Sequence, residues 1–205
     1  MAIYFYGTRE KPYGCFSNFS KHGFELDELW WPTTEHYFQA QKFVNTDRPW
    51  YDKIREAKTP KEAAKMGRDR THPLRSDWEQ VKDGIMQQGV LKKFETHADI
   101  REILLGTGDE KLVENSPTDY YWGCGKYGSG KNKLGQILMT VREILRDRQY
   151  FPVSNEGTLN FELINILACP NFQEPTYFST RGTVTLLKKR WACENGECEE
   201  PDRLA

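Results

Sequence analysis

The chain of 205 residues carries almost no net charge, with 29 Lys and Arg against 30 Asp and Glu. That balance excludes the global basic field by which non-specific duplex binders hold DNA, so a nucleic acid ligand would have to be recognised at a local site. No apolar run approaches membrane-spanning length, and apolar residues make up only 38% of the chain. The start, Met1-Ala2-Ile3-Tyr4-Phe5, lacks the basic flank of a secretory signal. Cysteine is sparse: five residues, odd in number and irregularly spaced, which suits a reducing compartment better than a disulfide framework. A cytoplasmic protein with no membrane partner is expected. Paired Cys-x-x-Cys arms are missing, and Cys193 and Cys198 flank four residues, so no metal is expected. Repeats and low-complexity tracts are absent too.

Aromatic side chains, by contrast, are abundant: six Trp, ten Tyr and eleven Phe. Most aromatics pack cores, but a surplus of this kind also lines pockets for flat ligands. The length allows one ordinary domain with a modest appendage. Ile3-Tyr4-Phe5-Tyr6 reads as a strand, Phe16-Ser17-Asn18-Phe19 as a turn, and Glu25 to Trp31 as extended. Helices follow. Thr59-Pro60-Lys61-Glu62 is a capping box with Pro at the first helical position, closed by Gly67. Ser76-Asp77-Trp78-Glu79 is a second, ahead of an apolar stripe at Trp78, Val81, Ile85, Met86, Val90, Leu91 and Phe94. Ile100 to Leu105 stop at Gly106, and a last amphipathic helix carries Leu134, Ile137, Leu138, Val141 and Leu145, with Asn132 as its N-cap. The fold class is therefore α+β and predominantly helical. Residues 1–148 form the compact domain and 149–205 a small C-terminal extension. There, Tyr150 to Val153, Leu163 to Leu167 and Thr183 to Leu187 look strand-like or mixed.

Three clusters bear on chemistry. In Trp31-Pro32-Thr33-Thr34-Glu35-His36-Tyr37-Phe38-Gln39-Ala40-Gln41-Lys42-Phe43, a helix capped by Thr33 or Thr34 puts Glu35, Gln39 and Lys42 on one stripe at i, i+4 and i+7. Tyr37, Ala40 and Val44 fall on another. The stripe reads equally as the solvated face of an amphipathic helix. Arg68, Arg75 and Trp78 cluster at helix ends, where cations meet an anion or cap carbonyls, and where Trp78 stacks a base or simply packs the core. Last, Asp119-Tyr120-Tyr121-Trp122-Gly123 precedes Gly128-Ser129-Gly130-Lys131-Asn132. Glycines leading into a helix offer free N–H groups to a phosphate, although a full Walker A loop is missing and such glycines also make plain tight turns.

In these motifs, in this order, the chain resembles the NADAR (YbiA-like) family. The match runs from residue 3 to about 148. It also takes in Phe5-Tyr6-Gly7, Gly67-Arg68, Arg75-Ser76-Asp77-Trp78, Lys93-Phe94, Leu104-Leu105-Gly106-Thr107-Gly108 and Asn132-Lys133-Leu134-Gly135. The resemblance implies N-glycosidase activity without cofactor. One implied substrate is ADP-ribose on the amino group of guanine in nucleic acid, or a similar ADP-ribose-like small molecule, with a toxin ADP-ribosyltransferase of the DarT type as partner. The other is the phosphoribosylamino-pyrimidine intermediates of riboflavin synthesis. A reader of ADP-ribose without turnover is the non-enzymatic alternative. Both substrates join ribose C1 to an exocyclic amine. On that chemistry Lys42 is the candidate nucleophile, through transimination to a Schiff base, with Glu35 as general acid/base and Asp119 sharing that role or positioning water. Direct attack by water, with Lys42 holding phosphate, is the rival. Trp78 or Trp122 is expected to stack the base, Arg68 and the turn at Asn132 to hold phosphate, and Ser17 and Asn18 to meet ribose hydroxyls. Tyr37, Gln39 and Gly123 complete the expected binding set.

Overall fold

The computed structural model describes residues 1–150, and the backbone of 192–194 and 197–199. The chain divides into two units, residues 1–154 and 155–205. In the second, strands Ala192–Glu194 and Glu197–Glu199 pair antiparallel, with Cys193 opposite Cys198. The expected elements at 151–153, 163–167 and 183–187 lie outside the described residues, and so does the extension as a whole apart from this hairpin.

The first unit is α+β and mostly helical, as its patterning predicts. Strand β1 (Ala2–Phe5) pairs parallel with β4 (Lys111–Glu114), bringing Phe5 opposite Glu114. Between them lie the hairpin β2–β3 (Phe24–Leu26 and Leu29–Trp31) and helices α1 (Thr34–Ala40), α2 (Arg48–Arg55), α3 (Pro60–Met66), α4 (Trp78–Thr96) and α5 (Ala98–Leu105). Helix α6 (Lys133–Tyr150) ends the unit. The hairpin turns on Asp27 and Glu28, both at positive φ (55° and 60°), the handedness that matches the twist of its strands. Strand β4 and helix α2 escape the sequence patterning. The first is only four residues long, and the second begins at an Asp47 cap that sets no long apolar stripe.

Three of the expected caps form differently. At α3, Thr59 accepts from Glu62 N as the capping box requires, while the Glu62 carboxylate reaches Lys58 N, one residue further back. At α4 the helix begins one residue late, behind Asp77, and no side chain caps it: Arg75 takes the Asp77 carboxylate through two hydrogen bonds of 2.6 and 2.8 Å. Asn132 does not cap α6 with its side chain either. It sits at φ 51° and spends its amide on strand β4, accepting from Glu114 N at 2.9 Å and donating to Leu112 O at 2.8 Å.

The stripe on α4 is buried as expected at Ile85, Met86, Val90 and Phe94, and so is that of α6 at Leu134, Ile137, Leu138, Val141 and Leu145. Each fully buried side chain of this size contributes about 1.5–3 kcal/mol by leaving water. Lys93 interrupts the α4 stripe and is nonetheless fully buried. Its ammonium donates to Cys15 O at 2.8 Å, Ser17 O at 3.3 Å and Ser20 Oγ at 3.4 Å, and so ties the 15–20 loop to the helix. Asn18 O in that loop accepts from Glu35 N at 3.1 Å, which fixes the entry to α1. Gly135 admits no side chain: a Cβ there would lie 2.2 Å from Leu112 O and 2.5 Å from the Asn132 amide. Gly135→Ala should therefore lower stability by about 1–3 kcal/mol, the usual cost of overpacking. A urea unfolding curve checks this, and an unchanged midpoint would mean that α6 and β4 separate freely.

Candidate active site

Helix α1 has no face in water. All seven of its residues are buried, and so is the following 3₁₀ turn Gln41–Phe43 that carries Lys42. Thr33 caps it, accepting from His36 N. Helices α2, α3 and α4 and strand β3 pack around it. The solvated-face reading of the Glu35, Gln39 and Lys42 stripe is thereby overturned: these residues are 7%, 6% and 8% exposed. An ordinary amphipathic helix keeps its charges outside. This one turns a carboxyl, an amide and an amine inward.

Gln39 Nε2 donates to Glu35 Oε1 at 2.7 Å, and Lys42 Nζ donates to Gly67 O at 3.0 Å. Gly67 packs directly beneath Gln39, where a Cβ would fall 1.9 Å from the amide oxygen. Burial lowers the Lys42 pKa to about 8, against the opposing pull of Glu35, with Arg70 and Arg68 adding to the depression. Burial raises the Glu35 pKa, opposed by the Gln39 hydrogen bond and by the charges of Lys42 and Arg68. The result is an amine whose proton is held less tightly than an ordinary lysine's beside a carboxyl whose proton is held more tightly than usual, a pairing suited to acid–base chemistry.

An aromatic wall flanks the amine. The Lys42 ammonium lies 5.5 Å from the centroid of Trp78 and 5.6 Å from that of Phe38. Phe38 in turn meets Trp78 at 5.0 Å and Trp122 edge-on at 5.2 Å. Trp78 thus packs against the core and against Lys42 at once. Asp119 is half-buried, and its Oδ1 accepts from Tyr121 N at 2.9 Å and Trp122 N at 2.7 Å, which holds Trp122 in the wall. Gly123 is needed for close approach, since a Cβ there would lie 2.8 Å from Ser116 Cβ and 3.0 Å from Asp119 O.

The 15–20 loop supplies Ser17 and Asn18, both buried. Ser17 Oγ accepts from Phe19 N at 3.3 Å; Asn18 Nδ2 lies 3.3 Å from Met86 Sδ, and its Oδ1 is buried without a partner. That orphaned oxygen fits a residue that accepts from a ligand hydroxyl. Arg68 is exposed and forms no side-chain ion pair among the described residues, so it remains available to an anion.

Two expected binding residues are placed elsewhere. Tyr37 points away from Lys42, packing on Trp31 and Phe24 and donating its hydroxyl to Gln88 at 3.1 Å. The turn at Asn132 is closed to phosphate: the N–H groups of Gly130, Lys131, Asn132, Lys133 and Leu134 all donate to carbonyls of residues 120–124, at 2.7–3.1 Å. Its anion-binding donors are spent on holding the Trp122 loop.

Glu114, at the end of β4, was missed. Its Oε2 is buried with no hydrogen-bond partner, and burial together with Asp119 and Glu35 pushes its carboxyl up to about 7. A single Glu after Leu112-Val113 in an unrecognised strand carries no sequence signal. Lys93 did carry one, since it falls on the apolar stripe seven residues after Met86 and three after Val90. Among the described residues no cluster of His, Cys, Asp and Glu is arranged to hold a metal, and no helix is long and apolar enough to cross a membrane.

Proteins similar to this chain include N-glycosidases and a riboflavin biosynthesis protein. An N-glycosidase of Nostoc punctiforme is 58% identical over 148 residues, which cover 72% of this chain and 94% of that protein. The N-glycosidase YbiA of Escherichia coli strain K12 is 50% identical over 143 residues, covering 70% and 88%. The NMR structure of E. coli YbiA superimposes with a TM-score of 0.69 at 45% identity, over 77% of this chain and 92% of that one. A chloroplastic riboflavin biosynthesis protein of Zea mays, PYRR, is 43% identical over 157 residues, 70% of this chain but 25% of that longer protein. The fold is that of E. coli YbiA, and these relatives make the chain an N-glycosidase. The NADAR domain model matches residues 4–146, and the chain belongs to that family.

The titration of Lys42 can be followed directly by reductive methylation with a small aldehyde and cyanoborohydride, read by peptide mass spectrometry. Labelling should rise as pH is raised through about 8, below the ordinary lysine value of 10.5, because only the neutral amine reacts. Glu35→Gln removes the anion that favours the ammonium form, so the midpoint should move lower. An upward move would place Glu35 outside the field of Lys42.

Proposed function

We propose that this N-glycosidase hydrolyses the bond between C1 of a 5′-phosphorylated ribose and the exocyclic amine of a base, with ADP-ribose on the amino group of guanine in nucleic acid as its substrate. The observation that carries the bond specificity is the buried Lys42 amine, bonded to Gly67 O and flanked by Trp78 and Phe38, beside the Glu35 carboxyl. An exocyclic glycosylamine opens to an imine by its own nitrogen lone pair. The Lys42 amine adds to C1, the base leaves with the electrons of its C–N bond and one proton, and a lysine Schiff base remains. Water adds to that imine, the C–Nζ bond breaks, and the aldehyde closes again to ribose. Glu35 moves protons between these steps, and Asp119 holds Trp122 against the base.

The nucleic-acid reading is supported by the rim of the aromatic wall. From Trp122 the rings continue outward to Tyr121 at 5.1 Å, and Lys82 and Lys131 lie 4.0 and 5.2 Å from the Tyr121 centroid. Tyr120 and Tyr127 are exposed, and residues 120–133 contain three lysines and no acid. Exposed rings interleaved with cations suit a single strand that stacks its bases, and need no global positive charge. In this reading the reaction reverses the product of an ADP-ribosyltransferase. The riboflavin names of the Zea mays relative and of a 37% identical Vibrio vulnificus relative favour a second reading, the phosphoribosylamino-pyrimidine intermediates. Both readings share the bond.

Two measurements test this. Borohydride added during turnover should trap the sugar on Lys42, and Lys42→Arg should abolish trapping and lose at least about 10²-fold in rate. Full activity of that variant would leave direct attack by water. A guanine-ADP-ribosylated oligonucleotide should be cleaved faster than the phosphoribosylamino-pyrimidine; the reverse preference would give the metabolic reading precedence.

A further inference from the structure

The Glu114 carboxyl feels those of Asp119 and Glu35, and the surroundings of the three differ. Asp119 Oδ1 takes two backbone N–H donors, an arrangement suited to a carboxylate. Glu35 Oε1 takes the Gln39 amide and faces the Lys42 cation. Glu114 has neither. Its side chain makes no hydrogen bond and no ion pair among the described residues, and Oε2 is buried without a partner, while the residue as a whole stays only half-buried. An ionised carboxylate with an orphaned buried oxygen is costly, and neighbouring anions add to that cost.

Its place is fixed by backbone contacts alone. Glu114 N donates to Asn132 Oδ1 and Glu114 O accepts from Cys124 N at 2.8 Å. Glu114 O and Asp119 O both pack against Gly123, at 3.1 and 3.0 Å from where a Cβ would stand, next to Trp122 of the aromatic wall. The titratable groups that reach Glu114 are Asp119 from the loop and Glu35 from α1, both acids. A trio of mutually repelling carboxyls in which one lacks every stabiliser of its anion is the arrangement in which the proton resides on that one.

We propose that Glu114 is the general acid of this site, giving its proton to the exocyclic nitrogen as the C1–N bond breaks. The electron pair of that bond goes to nitrogen, the base departs as a neutral amine, and Glu114 is left as a carboxylate. It regains a proton from the water that adds to C1, so each turnover consumes one water and leaves the carboxyl as it began. Glu35 is then free to serve Lys42 alone. This assignment rests on the N-glycosidase reading and deepens it.

The experiment compares wild type, Glu114→Gln and Glu114→Ala on two ribose 5-phosphate derivatives, one with a basic exocyclic aminopyrimidine as the leaving group at C1 and one with p-nitrophenolate, which departs unprotonated. Both variants should lose about 10²-fold or more in kcat on the first substrate and little on the second. Wild type requires Glu114 protonated and Lys42 neutral, so its profile should be a bell between about 7 and 8. Glu114→Gln should remove the fall on the alkaline side, leaving a rise through about 8. Equal losses on both substrates, or an unchanged bell, would overturn the proposal. A wild type inactive on both would sink the N-glycosidase reading instead. Carbon-13 NMR of the Glu114 carboxyl then still decides the proton's place: titration near 7 is expected, and titration in the ordinary carboxylate range overturns it.

Discussion

Helix α1 lies wholly inside the protein, and the chemistry of the site follows from that burial. A lysine in water keeps its proton far above neutrality and is a poor nucleophile. Under the rings of Phe38 and Trp78, with one carbonyl as its hydrogen-bond partner, Lys42 loses most of that preference. The same exclusion of water raises the Glu35 carboxyl towards the amine. Each group moderates the other: Glu35 restrains the fall of Lys42, and Lys42 restrains the rise of Glu35. A buried pair of this kind contributes little to stability and is retained for what it does.

Two loops keep α1 in that position, and both are tied down by polar side chains in apolar surroundings. Lys93 reaches from the core face of α4 to the carbonyls of the 15–20 loop, and Asn18 in that loop holds the first turn of α1 through Glu35 N. On the other side, Asn132 binds β4 with both ends of its amide. The backbone ahead of α6 meanwhile donates its N–H groups to residues 120–124. These contacts exchange an open anion site for a rigid one-sided wall, with Trp122 and Asp119 fixed in it. Arg68 is exposed and forms no side-chain ion pair among the described residues. Rigid support of this sort is what holds reacting groups to the tolerance catalysis requires.

Much of this was legible in the residues. The apolar stripes of α4 and α6 repeat at helical spacing because those helices bury one face, and the buried residues match. Thr33 and Thr59 announce the starts of α1 and α3 by chemistry local to four residues. Spacing alone put Glu35, Gln39 and Lys42 on one line, and the ordered motifs identified the family. Tyr37, although in the densest motif, faces the opposite side because two residues' advance along a helix turns a side chain through about 200°. The second capping box gave way to an ion pair between Arg75 and Asp77, and Asn132 was drawn from its helix to a strand.

The residue sequence by itself thus determined the mostly helical α+β class, the family and the single stripe of Glu35, Gln39 and Lys42, because periodicity, capping and motif order are properties of neighbours along the chain. Only the tertiary structure decided that the polar stripe of α1 faces inward, since a stripe has two sides and packing by α2, α3 and α4 selects between them. It also decided that the glycine-rich turn is spent on its own backbone and that Glu114 joins Glu35 and Asp119. Those facts depend on residues far apart in sequence, where burial and the competition for hydrogen bonds are settled by which surfaces meet.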